Sequence, residues 1–356
     1  MMATEYDFLI VSGGTAGLVL ACRLSEDPDV QILVLEAGNG RLENPRITTP
    51  GAWRSLFGDP DLDRNFRTTP QVLRFSSRAE KIDDSRLIAY YDLKELGGRC
   101  IGHRRGRVLS GTSAINALAV IAPSKASLDA CKKLGNPGWN WKTMASYYRK
   151  FYTLTVPSES VVSHLGIDFI DDNIRGNSGP IKVSFPETQD PLSKVWIEMF
   201  KTLNYNTTGD PFSGQAIGGF RNPSSIHPVT KERSHAGSSY YGPVSHRPNL
   251  HVVTEAFVER IILDEKAEGF FASGLQFTHE GKPQEVTARK EIILAAGAFG
   301  SPHLLERSGI GDGTLLQSLG IGTRIDNPNV GENLQDPCSL VLASKFDPGG
   351  LWRIYE

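Results

Sequence analysis

A glycine-rich turn near the start of the chain has the spacing of a dinucleotide-binding loop. Residues 6–11 (YDFLIV) form an apolar run of strand length, and residues 12–17 (SGGTAG) follow directly. In the fingerprint G-x-G-x-x-G, the three glycines make the tight turn, admit a pyrophosphate to the backbone and let the next helix pack on the strand. Gly14 and Gly17 occupy the second and third positions, and Ser12 occupies the first. The spacing therefore predicts an anion site at a helix N-terminus.

A carboxylate stands where the same motif requires one. A helical stretch after the turn is followed by a second apolar run, residues 31–35 (QILVL), which ends at Glu36. Glu36 is 22 residues after Gly14, a position from which a carboxylate accepts hydrogen bonds from a ribose. An acidic strand end disfavours a 2′-phosphate and so argues against NADP. The motif leaves NAD and FAD open.

Two later segments extend this unit. Residues 105–119 (RGRVLSGTSAINALA) contain a small-residue stretch that suits a flat ring system or a phosphate, although a tight loop before a buried helix has the same composition. Residues 290–295 (KEIILA) predict a strand that enters a glycine turn, which indicates that the chain returns to the first sheet. A short helix is predicted at 303–308, with Pro302 in its first turn.

The middle of the chain has a different pattern. Residues 179–185 read as a strand and 191–203 as an amphipathic helix, and residues 249–254 and 257–263 read as strands of a meander. These elements predict a separate mixed unit inserted into the nucleotide-binding fold.

Composition excludes several classes of protein. A chain of 356 residues predicts about two domains. Hydrophobic residues make up 39% and charged residues 22%, which is too apolar for a disordered protein. Lys and Arg total 38 against 40 Asp and Glu, so the net charge of −2 gives no basic footprint for nucleic acid or an anionic membrane.

Cysteine usage and the chain start bear on metal binding and location. The four cysteines, Cys22, Cys100, Cys131 and Cys338, are far apart and form no CxxC pair. This spacing argues against a metal site and against a disulfide framework. The first residues lack the basic start and long apolar core of a signal peptide, and no apolar run has the length of a membrane span. We therefore expect a cytoplasmic protein without membrane insertion.

Four blocks carry a family resemblance. Residues 6–38, 106–116, 297–311 (GAFGSPHLLERSGIG) and 330–336 (VGENLQD) stand in the order found in the glucose–methanol–choline (GMC) oxidoreductases, and residues 134–141 also match. The sequence resembles this family of FAD enzymes, and most of all its fungal members, often found in secondary-metabolite pathways. The resemblance implies that the cofactor is FAD.

The resemblance also implies a set of site residues. Thr15, Ala16, Glu36 and Ala37 match positions that hold the AMP half of FAD, residues 116–119 match the segment beside the flavin, and the backbone of Val258 matches a contact to adenine. No metal ligand and no catalytic residue is assigned. The candidate FAD-binding residues are Gly13, Gly14, Thr15, Ala16, Gly17, Glu36, Ala37, Gly111, Asn116, Ala117, Leu118, Ala119 and Val258.

The expected fold is of the α/β class. A discontinuous Rossmann-like FAD-binding domain takes residues 5–150 and 230–336. A second, partial mixed α+β substrate-binding domain takes 151–229 and 337–356 and is incomplete at the C-terminus. The only partner expected is a small-molecule substrate, and the sequence leaves the oligomeric state open.

The sequence departs from the family pattern at four places. Ser12 and Ser110 stand where the family usually has glycine, and Pro337 stands where histidine usually follows the last block. Residues 72–95 look like added sequence between two family blocks.

The resemblance implies FAD-dependent oxidation of a CH–OH group in an alcohol or a polyketide-like metabolite. Family members carry a histidine beside the flavin in a C-terminal part that has no counterpart here, so we expect a truncated chain of low activity. His235, in the run RSHAGSSYY, matches only a variable family position. The alternatives are a non-redox GMC-like cyclase or dehydratase, an inactive pseudoenzyme, and an NAD dehydrogenase.

Overall fold

The computed structural model describes residues 3–69, 100–187, 191–205, 210–215 and 218–334, together with two short strands near the end of the chain. The predicted insertion at 72–95 and Pro337 lie outside these residues. By its contacts the chain divides into two units, Met1–Gly297 and Ala298–Glu356. The predicted FAD-binding and substrate-binding domains divide the chain at other residues, and that division stays a prediction.

The β-strands are, in chain order, β1 Glu5–Val11, β2 Ile32–Leu35, β3 Phe66–Arg67, β4 Gly102–His103, β5 Tyr152–Thr155, β6 Ile181–Ser184, β7 Leu250–Val253, β8 Ala256–Lys266, β9 Gly269–His279, β10 Lys282–Leu294, β11 Ile310–Gly311, β12 Ile325–Asp326, β13 Ser344–Phe346 and β14 Trp352–Ile354.

The α-helices are α1 Thr15–Leu24, α2 Pro45–Thr48, α3 Thr112–Ile115, α4 Lys125–Lys133, α5 Trp141–Lys150, α6 Glu159–Leu165, α7 Pro191–Thr202, α8 Gly297–Arg307 and α9 Gly313–Ser318. Short 3₁₀ turns occur at Pro50–Leu56, Pro211–Ser213 and Gly242–Val244, and a π-helical turn occurs at Gly237–Tyr241.

A six-stranded mixed sheet organises the first unit. Its strand order is β7-β2-β1-β10-β9-β8, with β7, β2, β1 and β10 parallel and the last three strands antiparallel. At the end of β1, Val11 pairs with Leu35 on one side and with Leu294 on the other. The second part of β1, Phe8–Val11, and the whole of β2 are apolar because strands inside a parallel sheet are covered on both faces. Loops that follow the carboxyl ends of these strands meet at one edge, where α/β proteins bind ligands.

The predicted return of the chain to the first sheet is confirmed. β10 lies beside β1, as residues 290–295 indicated, although the strand begins earlier, at Lys282, because its first half forms a hairpin with β9. The predicted strands at 249–254 and 257–263 are also present. Their assignment to a separate inserted unit was wrong, because β7 pairs with β2 and β8 with β9 in the main sheet.

Helix α1 packs on this sheet through the face that the sequence indicated. Leu18, Ala21 and Cys22 are buried against Ile10 of β1 and Tyr240 of the π-helical turn. This contact fixes the start of α1 relative to the end of β1, and the two ends enclose the glycine turn.

A smaller core is built mainly from residues 151–185, and Val120 packs into it. β5 and β6 pair in parallel, with Tyr152 opposite Ile181, and α6 covers them. The strand predicted at 179–185 is present as β6, whereas β5 was not predicted, since a run of four residues (YTLT) carries little periodic signal.

The second unit contains most of α8 and the short pair β11–β12. α8 begins at Gly297 and not at 303 as predicted, so Pro302 lies inside the helix. Gly297 has φ of +80°, a value that suits glycine at the sharp turn into this helix. Pro302 contributes no N–H to the helix, and the prediction of a helix that starts beside it followed the usual place of proline.

The sequence predicts neither membrane insertion nor a metal site, and the described residues contain no candidate element for either. No helix among them is long and apolar enough to cross a membrane. Within the same residues, no group of three or more His, Cys, Asp or Glu side chains is arranged to hold a metal ion.

Candidate cofactor site

Helix α1 begins with amide groups that lack acceptors. Gly14 precedes the helix and gives it no side-chain cap, and the N–H groups of Thr15, Ala16 and Gly17 have no hydrogen-bond acceptor among the described residues. Thr15 and Ala16 are exposed. Unpaired N–H groups at the positive end of a helix dipole attract anions. The donor set therefore fits a pyrophosphate.

The two glycines Gly14 and Gly17 differ in how closely other atoms of the turn approach them. A Cβ on Gly17 would lie 2.0 Å from the carbonyl oxygen of Ser12, so only glycine lets α1 start this close to the turn. A Cβ on Gly14 would meet no atom nearer than 3.4 Å, the distance to Ser12 Oγ. Packing within the protein therefore does not by itself require glycine at position 14, in contrast to position 17.

A second loop closes on the first. The N–H of Ser110 donates to the carbonyl of Gly13 at 2.7 Å. Gly111 has φ of +57°, and a Cβ on it would lie 2.8 Å from Cα of Gly14. The small-residue stretch that the sequence singled out thus touches the glycine turn backbone to backbone, and the two loops form one cradle.

Glu36 follows β2 directly and is 2% exposed. The N–H of Gly38 donates to its Oε1 at 2.7 Å, while the N–H of Gly13 (2.8 Å) and the hydroxyl of Ser12 (2.9 Å) donate to its Oε2. Burial raises the pKa of the Glu36 carboxyl above its usual value, and the bonds from Gly38 and Ser12 and the charge of Arg64 oppose that rise. The carboxylate is thus held at the cradle by three donors.

Backbone hydrogen bonds place the start of β8 beside Glu36. The N–H of Glu36 donates to the carbonyl of Val253, and the N–H of Ala256 donates to the carbonyl of Glu36, each at 2.9 Å. These bonds join the end of β2 to the start of β8, the strand that carries Val258, which is 9% exposed. Ala37 is half-buried next to Glu36.

Residues 116–119 form a bent segment after α3. Ala117 and Ala119 are exposed, whereas Leu118 is buried and has φ of +66°. Asn116 fixes the bend, because its Oδ1 accepts from the N–H of Leu118 at 3.1 Å. The segment therefore presents small side chains outward from a fixed backbone.

Sequence reasoning missed Arg233. This residue is 3% exposed, and its Nη1 donates to Oδ1 (2.7 Å) and to the carbonyl (2.8 Å) of Asn116, while its Nε donates to the carbonyl of Ile47 at 2.9 Å. Burial lowers the pKa of Arg233 to about 10. No spacing in the sequence indicated this contact, because 117 positions separate Arg233 from Asn116.

His235 is part of the support of the second loop. It is 1% exposed, its Nδ1 lies 2.9 Å from Oγ of Ser110, and that oxygen also accepts from the N–H of Gly237 at 2.9 Å. Burial and the charge of Arg233 lower the pKa of His235 to about 4. His235 is thus a buried imidazole whose observed contact supports Ser110 and the second loop.

The two serines that replace family glycines share an unusual backbone conformation. Ser12 has φ of +84° and Ser110 has φ of +90°, the left-handed region that favours glycine. Each hydroxyl makes a hydrogen bond that glycine lacks, to Glu36 and to His235 respectively. These bonds offset part of the backbone cost, which is about 1–3 kcal/mol for such a residue.

The comparison with protein families decides the relationship. The sequence model described as GMC oxidoreductase matches residues 6–338. The chain belongs to the GMC oxidoreductase family. This confirms the resemblance that the four sequence blocks carried, and with it FAD as the cofactor of the fold.

Several known proteins are similar to this chain over almost its whole length. Dehydrogenase mpl7 of Monascus purpureus is 37% identical over 337 residues, which is 94% of this chain and 50% of that protein. An FAD-dependent oxidoreductase from Chaetomium thermophilum superposes with a TM-score of 0.78 at 34% identity, over 91% of this chain and 51% of that one. A fungal aryl-alcohol oxidase gives 0.75 at 27% identity, over 92% and 51%. The chain thus spans about half the length of these proteins.

Proposed function

We propose that the cradle of residues 12–17 and 110–113 binds FAD. The observation that carries this proposal is the set of three N–H groups at the start of α1 that have no acceptor among the described residues and lie in the same cradle as a fixed carboxylate. In this proposal the N–H groups of residues 15–17 hold the pyrophosphate and Glu36 accepts from the adenosine ribose. Gly111 lets the second loop approach, and residues 116–119 lie beside the ring system.

We further propose the class of reaction. Bound FAD would supply the acceptor for the hydride that leaves the CH–OH carbon of an alcohol. The aryl-alcohol oxidase among the similar structures and the fungal dehydrogenase among the similar sequences support a small alcohol, and a polyketide-like metabolite is the finer proposal. The division into an FAD-binding domain and a substrate-binding domain belongs to the same proposal.

In this proposal, buried side chains of the chain hold the loops of the cradle in position. Arg233 fixes the carbonyl and the side chain of Asn116, so the segment that follows keeps one conformation. His235 fixes Ser110 and thereby the loop that carries Gly111. No described residue is assigned as the acceptor of the alcohol proton.

Replacement of Glu36 by glutamine tests the cofactor site. Glu36→Gln turns one carboxylate oxygen into an N–H₂ group that faces donors, so we expect FAD affinity to fall about tenfold, or about 1.4 kcal/mol. Titration calorimetry of the full chain with FAD measures this change. Glu26→Gln is the matched control, since Glu26 is exposed and pairs with Arg23 beyond the other end of α1. Equal affinity of Glu36→Gln and the wild type would remove Glu36 from the site.

The reaction class has its own test. The FAD-loaded chain is mixed with a panel of primary and aryl alcohols without oxygen, and the absorbance of the oxidised flavin is followed. Bleaching with an alcohol supports the oxidoreductase. Tight FAD binding without bleaching by any alcohol contradicts the proposed reaction and leaves the binding site intact.

A further inference from the structure

The carboxylate of Glu36 has little acceptor capacity left. An ionised carboxylate offers about four lone-pair sites, two on each oxygen. Oε2 already receives the Ser12 hydroxyl and the N–H of Gly13, and Oε1 receives the N–H of Gly38. One acceptor site therefore remains, on Oε1.

The Ser12 hydroxyl occupies one acceptor site of Glu36 that a glycine at position 12 would leave free. A glycine at position 12 would leave Oε2 with the N–H of Gly13 alone. The Ser12 hydroxyl also accepts from the N–H of Gly14 at 3.2 Å, so it is fixed from two sides. The Ser12 hydroxyl thus uses one acceptor site on Glu36 and the N–H donor of Gly14. A dinucleotide uses both kinds of group, acceptors for its ribose hydroxyls and N–H donors for its phosphates.

We propose that Ser12 determines specificity in the nucleotide site by leaving Glu36 a single hydrogen bond for the adenosine ribose. The chain then recognises one ribose hydroxyl and tolerates loss of the other. This inference rests on the proposed function, because it assumes that the adenosine half binds next to Glu36.

The test uses ADP, 2′-deoxy-ADP and 3′-deoxy-ADP as probes in titration calorimetry with the full chain. For the wild type we expect only one of the two deoxy nucleotides to bind more weakly than ADP, by about tenfold. Ser12→Gly frees the second acceptor, so each deoxy nucleotide should bind about tenfold more weakly than ADP. ADP itself should bind more tightly to this variant than to the wild type.

Two further variants keep the test decisive. Ser12→Ala removes the hydroxyl but keeps a Cβ in the left-handed conformation, so it should show the same binding pattern as Ser12→Gly. If one of the two variants fails to fold, the other carries the test. Ser25→Ala loses a buried hydroxyl at the other end of α1, where Ser25 donates to the carbonyl of Cys22, and should keep the wild-type pattern.

The outcomes separate the inference from the function on which it rests. Equal patterns in the wild type and both Ser12 variants, with ADP bound in all, overturn the role of Ser12 alone. Wild-type sensitivity to loss of either hydroxyl overturns it too. Absence of ADP binding in every folded protein overturns the nucleotide site and this inference together.

Discussion

Gly17→Ala should lower the free energy of unfolding by about 3 kcal/mol and abolish retention of FAD. The new Cβ would lie 2.0 Å from the carbonyl oxygen of Ser12, which is backbone and cannot rotate away. Helix α1 must then shift from the end of β1, and this both strains the packed core and moves the three N–H donors. Overpacking of a tight core costs about 1–3 kcal/mol and occasionally more. Urea unfolding and flavin absorbance after gel filtration measure the two effects.

Gly51→Ala is the matched control for this change. A Cβ on Gly51 would meet nothing within 4 Å, so the same substitution there should leave stability within about 0.5 kcal/mol of the wild type. A Gly17→Ala protein that is as stable as the Gly51→Ala protein and keeps FAD would contradict the close packing of α1 on the turn.

Acid should unfold this chain partly through His235. The folded-state pKa of about 4 lies below the ordinary 6.5, so the unfolded chain binds the proton first. Neutral His235 therefore stabilises the fold fully above pH 6.5, and this contribution is lost as pH falls to about 4. At 1.36 kcal/mol for each pKa unit, the loss amounts to about 3 kcal/mol.

His235→Asn isolates this contribution. The asparagine side chain can replace the hydrogen bond between His235 Nδ1 and Ser110, but it does not titrate. Between pH 6.5 and pH 4, the free energy of unfolding of the variant should therefore fall by about 3 kcal/mol less than that of the wild type. Urea unfolding at several pH values measures the difference. His246→Asn, at an exposed histidine, should keep the wild-type profile. Parallel profiles for His235→Asn and the wild type would show that His235 is not a buried neutral group.

The local parts of the cradle were predictable from sequence because they depend on neighbours in the chain. The apolar runs before Gly14 and before Glu36 specify β1 and β2, and the glycine spacing specifies the turn between them. The later strand, β10, was predicted because it ends in an apolar run like theirs, Ile292–Leu294, although these three residues are only half-buried.

The contacts that connect distant segments were not predictable in the same way. Arg233 and Asn116 carry no shared pattern, and their pairing exists only because two loops fold against each other. The hydroxyl bonds of Ser12 and Ser110 could not be derived from their residue types either, since each depends on a left-handed backbone that sequence alone would assign to glycine.

The place of β1 in the main sheet has a consequence for synthesis of the protein. β1 is synthesised long before β10, one of its two neighbours in the sheet, which begins at Lys282 and ends at Leu294. At about 5–20 residues per second, translation reaches β10 on the order of tens of seconds later. During that interval the apolar run YDFLIV has one unpaired edge, which is the kind of surface that aggregates or recruits a chaperone. Nascent chains that stop before Lys282 keep this edge permanently open.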